Sequence, residues 1–143
     1  MKAEDLMVGD RVFLFGDKPV KVDCIGNVEV YLSDEDGIDW RVTYEHIKPI
    51  PLTPEILEKN GFRWTGSGDS TGRLSTPWGF DGIRYNIYVG LKKKTIEVHS
   101  AHPELRTESW RKVNKVSLEV CGCFVHELQH ALRLCGINFE IKL

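Results

Sequence analysis

Over most of the chain, apolar and polar residues alternate one by one, the signature of strands with one face buried. Val20-Lys21-Val22-Asp23-Cys24 and Val28-Glu29-Val30-Tyr31-Leu32 alternate in this way, with the tight-turn pair Gly26-Asn27 between them. A Gly9-Asp10 turn leads into a strand through Arg11-Val12-Phe13-Leu14. Ser33-Asp34-Glu35-Asp36-Gly37 has the composition of a loop, and Ile38 to Val42 reads as a fourth strand. Thr43 to His46 makes one helical turn before a closing strand at Ile47 to Ile50. Five short strands with a single turn before the last predict an SH3-like β-barrel over residues 1–50, with Val22, Val28 and Val30 in one interior. Tyr31, Trp40 and Tyr44 are candidates for an aromatic binding groove on it, and at least one of them is expected in the core.

Pro51-Leu52-Thr53-Pro54 reads as a hinge to a second unit, residues 51–143. Thr53 is a good helix N-cap, Pro54 suits the first helical position, and Gly61 marks the stop. Strands follow at Phe62 to Trp64, Arg73 to Thr76, Ile83 to Val89, Lys94 to Ser100 and Lys112 to Val120. The glycine-rich loop Gly66 to Gly72 lacks the Gly-Lys-Ser/Thr ending that grips phosphate. Gly90-Leu91-Lys92-Lys93 joins a hairpin. The C-terminal stretch Asn138-Phe139-Glu140-Ile141-Lys142-Leu143 alternates and is expected to close the sheet as a last strand. The fold class is therefore α+β: an SH3-like barrel followed by a helix–antiparallel sheet–helix–strand unit.

One stretch switches to helical spacing. At about 100° per residue, Cys121, Phe124, Val125, Leu128, Ala131, Leu132 and Cys135 fall within an arc of roughly 140°, which makes it the core face. Leu128 and Leu132 should be buried. His126 and His130 fall opposite, beside Arg133 and Glu119, on a face with the pattern of a solvated surface.

The same stretch spells His126-Glu127-Leu128-Gln129-His130, the His-Glu-x-x-His arrangement of zinc hydrolases. There, two imidazoles one turn apart hold the metal and the glutamate serves as general base. A catalytic zinc needs a third protein ligand. The usual continuations offer none: Arg133 and Gly136 stand where a Gly and a His would be needed, and Glu140 falls in the expected terminal strand. Upstream, His46, His99 or His102 are the available imidazoles. Cys123 lies on the histidine face of an extended helix, so Cys123, His126 and His130 form an alternative set for zinc. With its histidines on a wet face, the motif reads first as a structural helix, and the zinc metallohydrolase with Glu127 as base stands as the alternative.

Composition narrows the partners. The 143 residues are 41 % hydrophobic and 28 % charged with a net charge of −2, an ordinary globular chain without a global nucleic-acid footprint. Lys92-Lys93-Lys94, with Trp78, Phe80, Arg84 and Tyr85 near it in sequence, leaves a single-stranded nucleic-acid contact as a lesser reading beside a solvated turn. No apolar run approaches a membrane span and the first residues do not resemble a secretory leader, so a cytoplasmic protein without membrane contact is expected. Its cysteines are then expected to be reduced, with Cys121, Cys135 and perhaps Cys24 at apolar positions.

The opening Met1 to Asp10, the junction Ile50-Pro51-Leu52-Thr53-Pro54-Glu55-Ile56-Leu57 with Gly61-Phe62, and the closing Val125-His126-Glu127-Leu128-Gln129-His130 with Phe139-Glu140-Ile141 resemble a family of small uncharacterised proteins of gut Bacteroidales and their prophages and mobile elements. The resemblance covers the two ends and the hinge. It implies a mobile-element association. It also implies that Gln and Asn are the usual residues at positions 127 and 130, so that the zinc motif is local drift on a structural helix. The expected function is a non-catalytic binding or accessory protein with a protein or peptide partner and no cofactor; the zinc hydrolase and a nucleic-acid-binding module are the alternatives.

Overall fold

The computed structural model describes residues 1–64, 71–76, 83–101, 114–119 and 122–143. The described residues form a mixed α+β fold of two five-stranded antiparallel sheets and two α-helices. The first sheet contains β1 (Arg11–Leu14), β2 (Lys18–Ile25), β3 (Glu29–Ser33), β4 (Asp39–Thr43) and β5 (Ile47–Pro49), in the order β4-β3-β2-β1-β5. A single 3₁₀ turn, Tyr44–His46, precedes β5, where the sequence places its helical turn. The ladder is open: among the described residues β4 and β5 are its unpaired edges.

The interior side of this sheet follows from period-two alternation. Val12, Leu14, Val20, Val22, Val30, Leu32 and Ile47 are all buried in one cluster with Leu6. Two expectations fail beside it. Val28 is 70 % exposed because it precedes β3 in the turn closed by the Gly26 N–H to the Glu29 carbonyl, off the strand's alternation. Cys24 is exposed because a bulge at Asp23 shifts the β2–β3 register, so Val22 pairs with Leu32 but Cys24 pairs with outward Tyr31.

Residues after the hinge build the second unit. Thr53 Oγ1 accepts the Ile56 N–H at 3.3 Å and opens α1 (Pro54–Lys59), which ends before Gly61 at φ 83°. The second sheet is a meander of β6 (Arg63–Trp64), β7 (Thr71–Ser75), β8 (Arg84–Gly90), β9 (Thr95–Ala101) and β10 (Asn114–Glu119). The β8–β9 hairpin turns through Leu91 to Lys94, close to the expected place. The glycine-rich loop over 65–70, the stretch 77–82 with Trp78 and Phe80, and His102 and Cys121 lie outside the described residues.

Helix α2 (Val125–Leu134) covers the inner face of this sheet. Val125, Leu128, Ala131 and Leu132 are buried with Ile87, Val89, Ile96 and Val98, and with Leu57 and Phe62 from the α1 region. The apolar arc read from the sequence is the face that enters the core, and Leu128 and Leu132 are each 1 % exposed.

The expected terminal strand is not one. Residues 137–143 form no helix or strand. Their alternation is satisfied differently: Ile141 is buried in the second core, while Asn60 takes the place of a neighbouring strand. Its Nδ2 donates to the Lys142 carbonyl at 2.7 Å and its Oδ1 accepts the Lys142 N–H at 2.8 Å. One side chain that donates and accepts meets the backbone need a strand would have met. The hinge is similarly engaged. Leu52 N–H donates to the Cys123 carbonyl at 2.8 Å and Val125 N–H to the Ile50 carbonyl at 2.9 Å, so residues 50–52 pair with the start of α2.

Candidate functional site

The face of α2 expected to be wet is docked on the first sheet. Its stripe His126, Gln129, His130 and Arg133 lies against the turn that leads into β1. Asp10, 0 % exposed, is the centre. His130 Nε2–H donates to Asp10 Oδ2 at 2.7 Å, Arg133 Nη1 to Asp10 Oδ1 at 2.8 Å, and the Met7 N–H to Oδ2 at 2.8 Å. Gln129 sits beside this pair and serves the backbone: Oε1 accepts the Arg11 N–H at 2.9 Å and Nε2 donates to the Gly9 carbonyl at 3.1 Å. A carboxylate without solvent must be paired and hydrogen-bonded on both oxygens, and here it is. Gly9, at φ 89°, lets Arg133 approach: a Cβ there would lie 3.0 Å from its guanidinium.

His126 is buried, 6 % exposed, rather than solvated. Its ring stacks on Phe124 (5.7 Å, 11° between planes) and meets His130 edge-on at 5.7 Å. Its Nδ1 is buried with no partner among the described residues. Desolvation, partly offset by Asp10 and Glu127, pushes its pKa below the ordinary value, so the ring stays neutral.

The side chains of the His-Glu-x-x-His spelling are engaged within the fold. Asp10 Oδ2 is an acceptor, so His130 Nε2 carries the hydrogen of this pair and only Nδ1 keeps a lone pair. Arg133 stands at the same carboxylate as a resident cation. Glu127 Oε2 accepts the Phe124 N–H at 2.9 Å, capping the helix start, and Cys123 precedes the helix in a left-handed conformation (φ 56°) with its thiol directed to the Gly90 carbonyl. Burial pushes the Cys123 thiol pKa up, the reverse of what a metal-bound thiolate needs. Of the proposed third ligands, His99 pairs with Glu97 at 2.9 Å and His46 is exposed on the first sheet. Among the described residues, no three His, Cys, Asp or Glu side chains group as a metal site.

A second cluster forms at the β1–β2 turn. Phe15 has left-handed backbone (φ 51°) and is 59 % exposed. Its N–H donates to the His46 carbonyl at 3.0 Å. Its ring packs edge-on to Trp40 at 6.0 Å and against the His46 ring at 5.4 Å. Lys18 Nζ lies over Trp40, 4.7 Å from the ring centroid, and is held there by Asp34 Oδ2 at 2.6 Å. The hydrogen bond from Lys18, then that from the Ile38 N–H, lowers the Asp34 pKa to about 2. Glycine or asparagine ordinarily fills a position of this backbone shape; a bulky ring there is strained.

The expected groove of Tyr31, Trp40 and Tyr44 is not assembled. Trp40 pairs with inward Leu32, whereas Tyr31 pairs with Arg41 on the opposite face, under that guanidinium. Tyr44 packs on the core and donates its hydroxyl to the Gly26 carbonyl. Phe15 and His46 take their place around Trp40. The signal for Phe15 was an aromatic residue directly before Gly16-Asp17, at a hairpin turn where small polar residues are usual.

No helix among the described residues is long and apolar enough to cross a membrane. No protein-family model matches the chain, and neither does any curated protein or solved structure.

Proposed function

We propose that this protein is a non-catalytic binding or accessory protein, and that Phe15, Trp40 and His46 form its contact with a protein or peptide partner. The observation that carries the reading is Phe15. A ring held in left-handed backbone and left 59 % exposed is a double disadvantage to the free protein, in strain and in solvated apolar surface. Trp40 beside it, pinned by Lys18 and Asp34, supplies a preorganised aromatic wall. The SH3-like reading of residues 1–50 belongs with this proposal. The strand order, the 3₁₀ turn before β5 and the approach of Trp40 on edge strand β4 to Phe15 across the sheet support it. An association with mobile elements and a cytoplasmic setting are part of the same proposal; the exposed free thiol of Cys24 suits a reducing compartment.

The test is selection from a random linear-peptide display library, followed by amide chemical-shift mapping of the binders. Perturbations centred on Phe15, Gly16, Trp40 and His46 are expected. Failure to enrich any binder, or mapping to a surface elsewhere, would overturn the proposal.

A further inference from the structure

The surroundings of Phe15 and Trp40 carry a charge bias that selects among partners. Residues 1–50 hold eleven Asp and Glu against six Lys and Arg, whereas residues 51–143 hold ten against thirteen. Part of this acidic surplus lies beside the aromatic cluster. Asp17 follows Phe15 in its turn and Glu45 precedes His46; both are exposed, whereas Asp39, next to Trp40 on β4, alternates to the opposite face of the sheet. Asp17 has no ion-pair partner among the described residues, and Glu45 accepts from Thr43 Oγ1 at 3.1 Å and lies 3.6 Å from His46 Nε2. The cations near the cluster do not neutralise this rim. Lys18 is already matched by Asp34. Lys48 follows buried Ile47 on β5, so alternation turns it to the other face of the sheet. The cluster also displays its own preference, since the Trp40 ring takes an ammonium group on its face.

Resting on the reading of this cluster as a contact site, we infer that its partner is a basic linear peptide segment, with an apolar side chain that packs on Phe15 and Lys or Arg residues that face Asp17 and Glu45. The aromatic contact supplies affinity through buried area. The acidic rim supplies selection, because a peptide carboxylate there would be placed beside the like charges of Asp17 and Glu45.

The experiment uses the full chain and three labelled peptides that share one Leu- and Pro-containing core flanked by Lys, by Ser or by Glu, with binding followed by fluorescence anisotropy. The Lys-flanked peptide should bind at least about tenfold more tightly than the Glu-flanked one, and the gap should shrink between about 30 and 300 mM salt. A Lys-flanked peptide with a Ser/Gly core should bind weakly, which separates docking from bulk charge attraction. The Asp17→Lys/Glu45→Lys variant should invert the preference. Phe15→Gly, which relieves the backbone while deleting the ring, should abolish binding of all of them with the fold intact. Equal affinity for Lys- and Glu-flanked peptides, with loss in Phe15→Gly, would overturn the charge inference and leave the site standing. Binding that survives Phe15→Gly, or no binding by any peptide, would overturn the site as well. Tighter binding of a single-stranded oligonucleotide at the same residues would replace the peptide by a polyanion and defeat the inference outright.

Discussion

Two clusters of aromatic and histidine side chains, one at each end of β1, are used in opposite ways. At its start, buried His126 and Asp10 sit with half-buried Phe124 and His130 and with Arg133, and join α2 to the first sheet. At its end, Phe15, Trp40 and His46 surround a turn open to solvent. The buried cluster carries the residues with a recognisable catalytic spelling, and His130, Gln129 and Arg133 there are hydrogen-bonded to the first sheet. The exposed cluster spells nothing, yet its apolar surface is uncommitted. Chemistry-bearing residues mark a functional site only while their donors, acceptors and surfaces remain available.

The comparison breaks most directly at Asp10. Asp10→Ala leaves Arg133 and the Met7 amide without their buried acceptor, and should lower unfolding stability by about 3–5 kcal/mol. Chemical denaturation measures it. A loss below about 1 kcal/mol would mean that the seam between α2 and the first sheet is ornamental. Leu128→Ala, on the opposite face of α2, should lower stability by about 2–5 kcal/mol. A loss near zero would mean that the apolar face does not enter the core. Comparable losses from the two substitutions are the expected outcome: both faces of α2 are buried, one through apolar packing and one through satisfied polarity.

This is also where the sequence was legible and where it was not. The five strands to Pro49, the helix capped by Thr53 and the apolar arc of α2 follow from spacing and turn residues, because each is a local pattern with one physical solution. The polar face of α2 was read as wet because polarity usually means solvent. Its composition carried the missed signal: His126, Gln129, His130 and Arg133 form a stripe one turn apart with no Lys or Glu among them, suited to fixed hydrogen bonds more than to a mobile solvated edge. Asp10, the partner that makes the stripe internal, is 120 residues from His130 in sequence. The terminal strand failed for a similar reason. Alternation marks Ile141 for burial but does not say whether another strand or the Asn60 side chain will meet its backbone.

Acid should expose the difference between the two clusters. His126 in the folded protein has its pKa lowered by burial, so the unfolded chain binds this proton first as pH falls. The histidine contribution to stability is complete above the ordinary value of about 6.5 and is lost as pH drops from there toward the folded-state value. His126→Gln should remove that part of the slope between about pH 7 and 5, measured by denaturation at each pH. An unchanged slope would show that His126 is charged or solvated in the folded protein.

Phe15→Gly sharpens the other side of the comparison. Glycine adopts φ 51° without penalty, so folded-state strain is relieved while the unfolded chain gains freedom. The exposed ring contributes little burial to offset this. Stability should change by less than about 1 kcal/mol in either direction, while peptide binding is lost. A large destabilisation would show that Phe15 is a packing residue and would remove the reason to place a partner there.

The smallest effect is expected at the residue with the most suggestive position in the motif. Glu127 Oε2 accepts the Phe124 N–H at the start of α2, and a glutamine oxygen can accept the same bond. Glu127→Gln should therefore shift unfolding stability by less than about 0.5 kcal/mol, read from paired denaturation curves. A loss well above that would assign the carboxylate's charge, rather than its acceptor oxygen, to the helix terminus. The same variant distinguishes the catalytic spelling from the structural one. In a zinc hydrolase the carboxylate takes a proton from metal-bound water, so turnover falls by orders of magnitude when it becomes an amide. With His130 Nε2 engaged by Asp10 and Glu127 capping the helix, neither stoichiometric zinc in untagged protein nor a hydrolytic activity lost in the Gln variant is expected; finding both would overturn the structural reading of the motif.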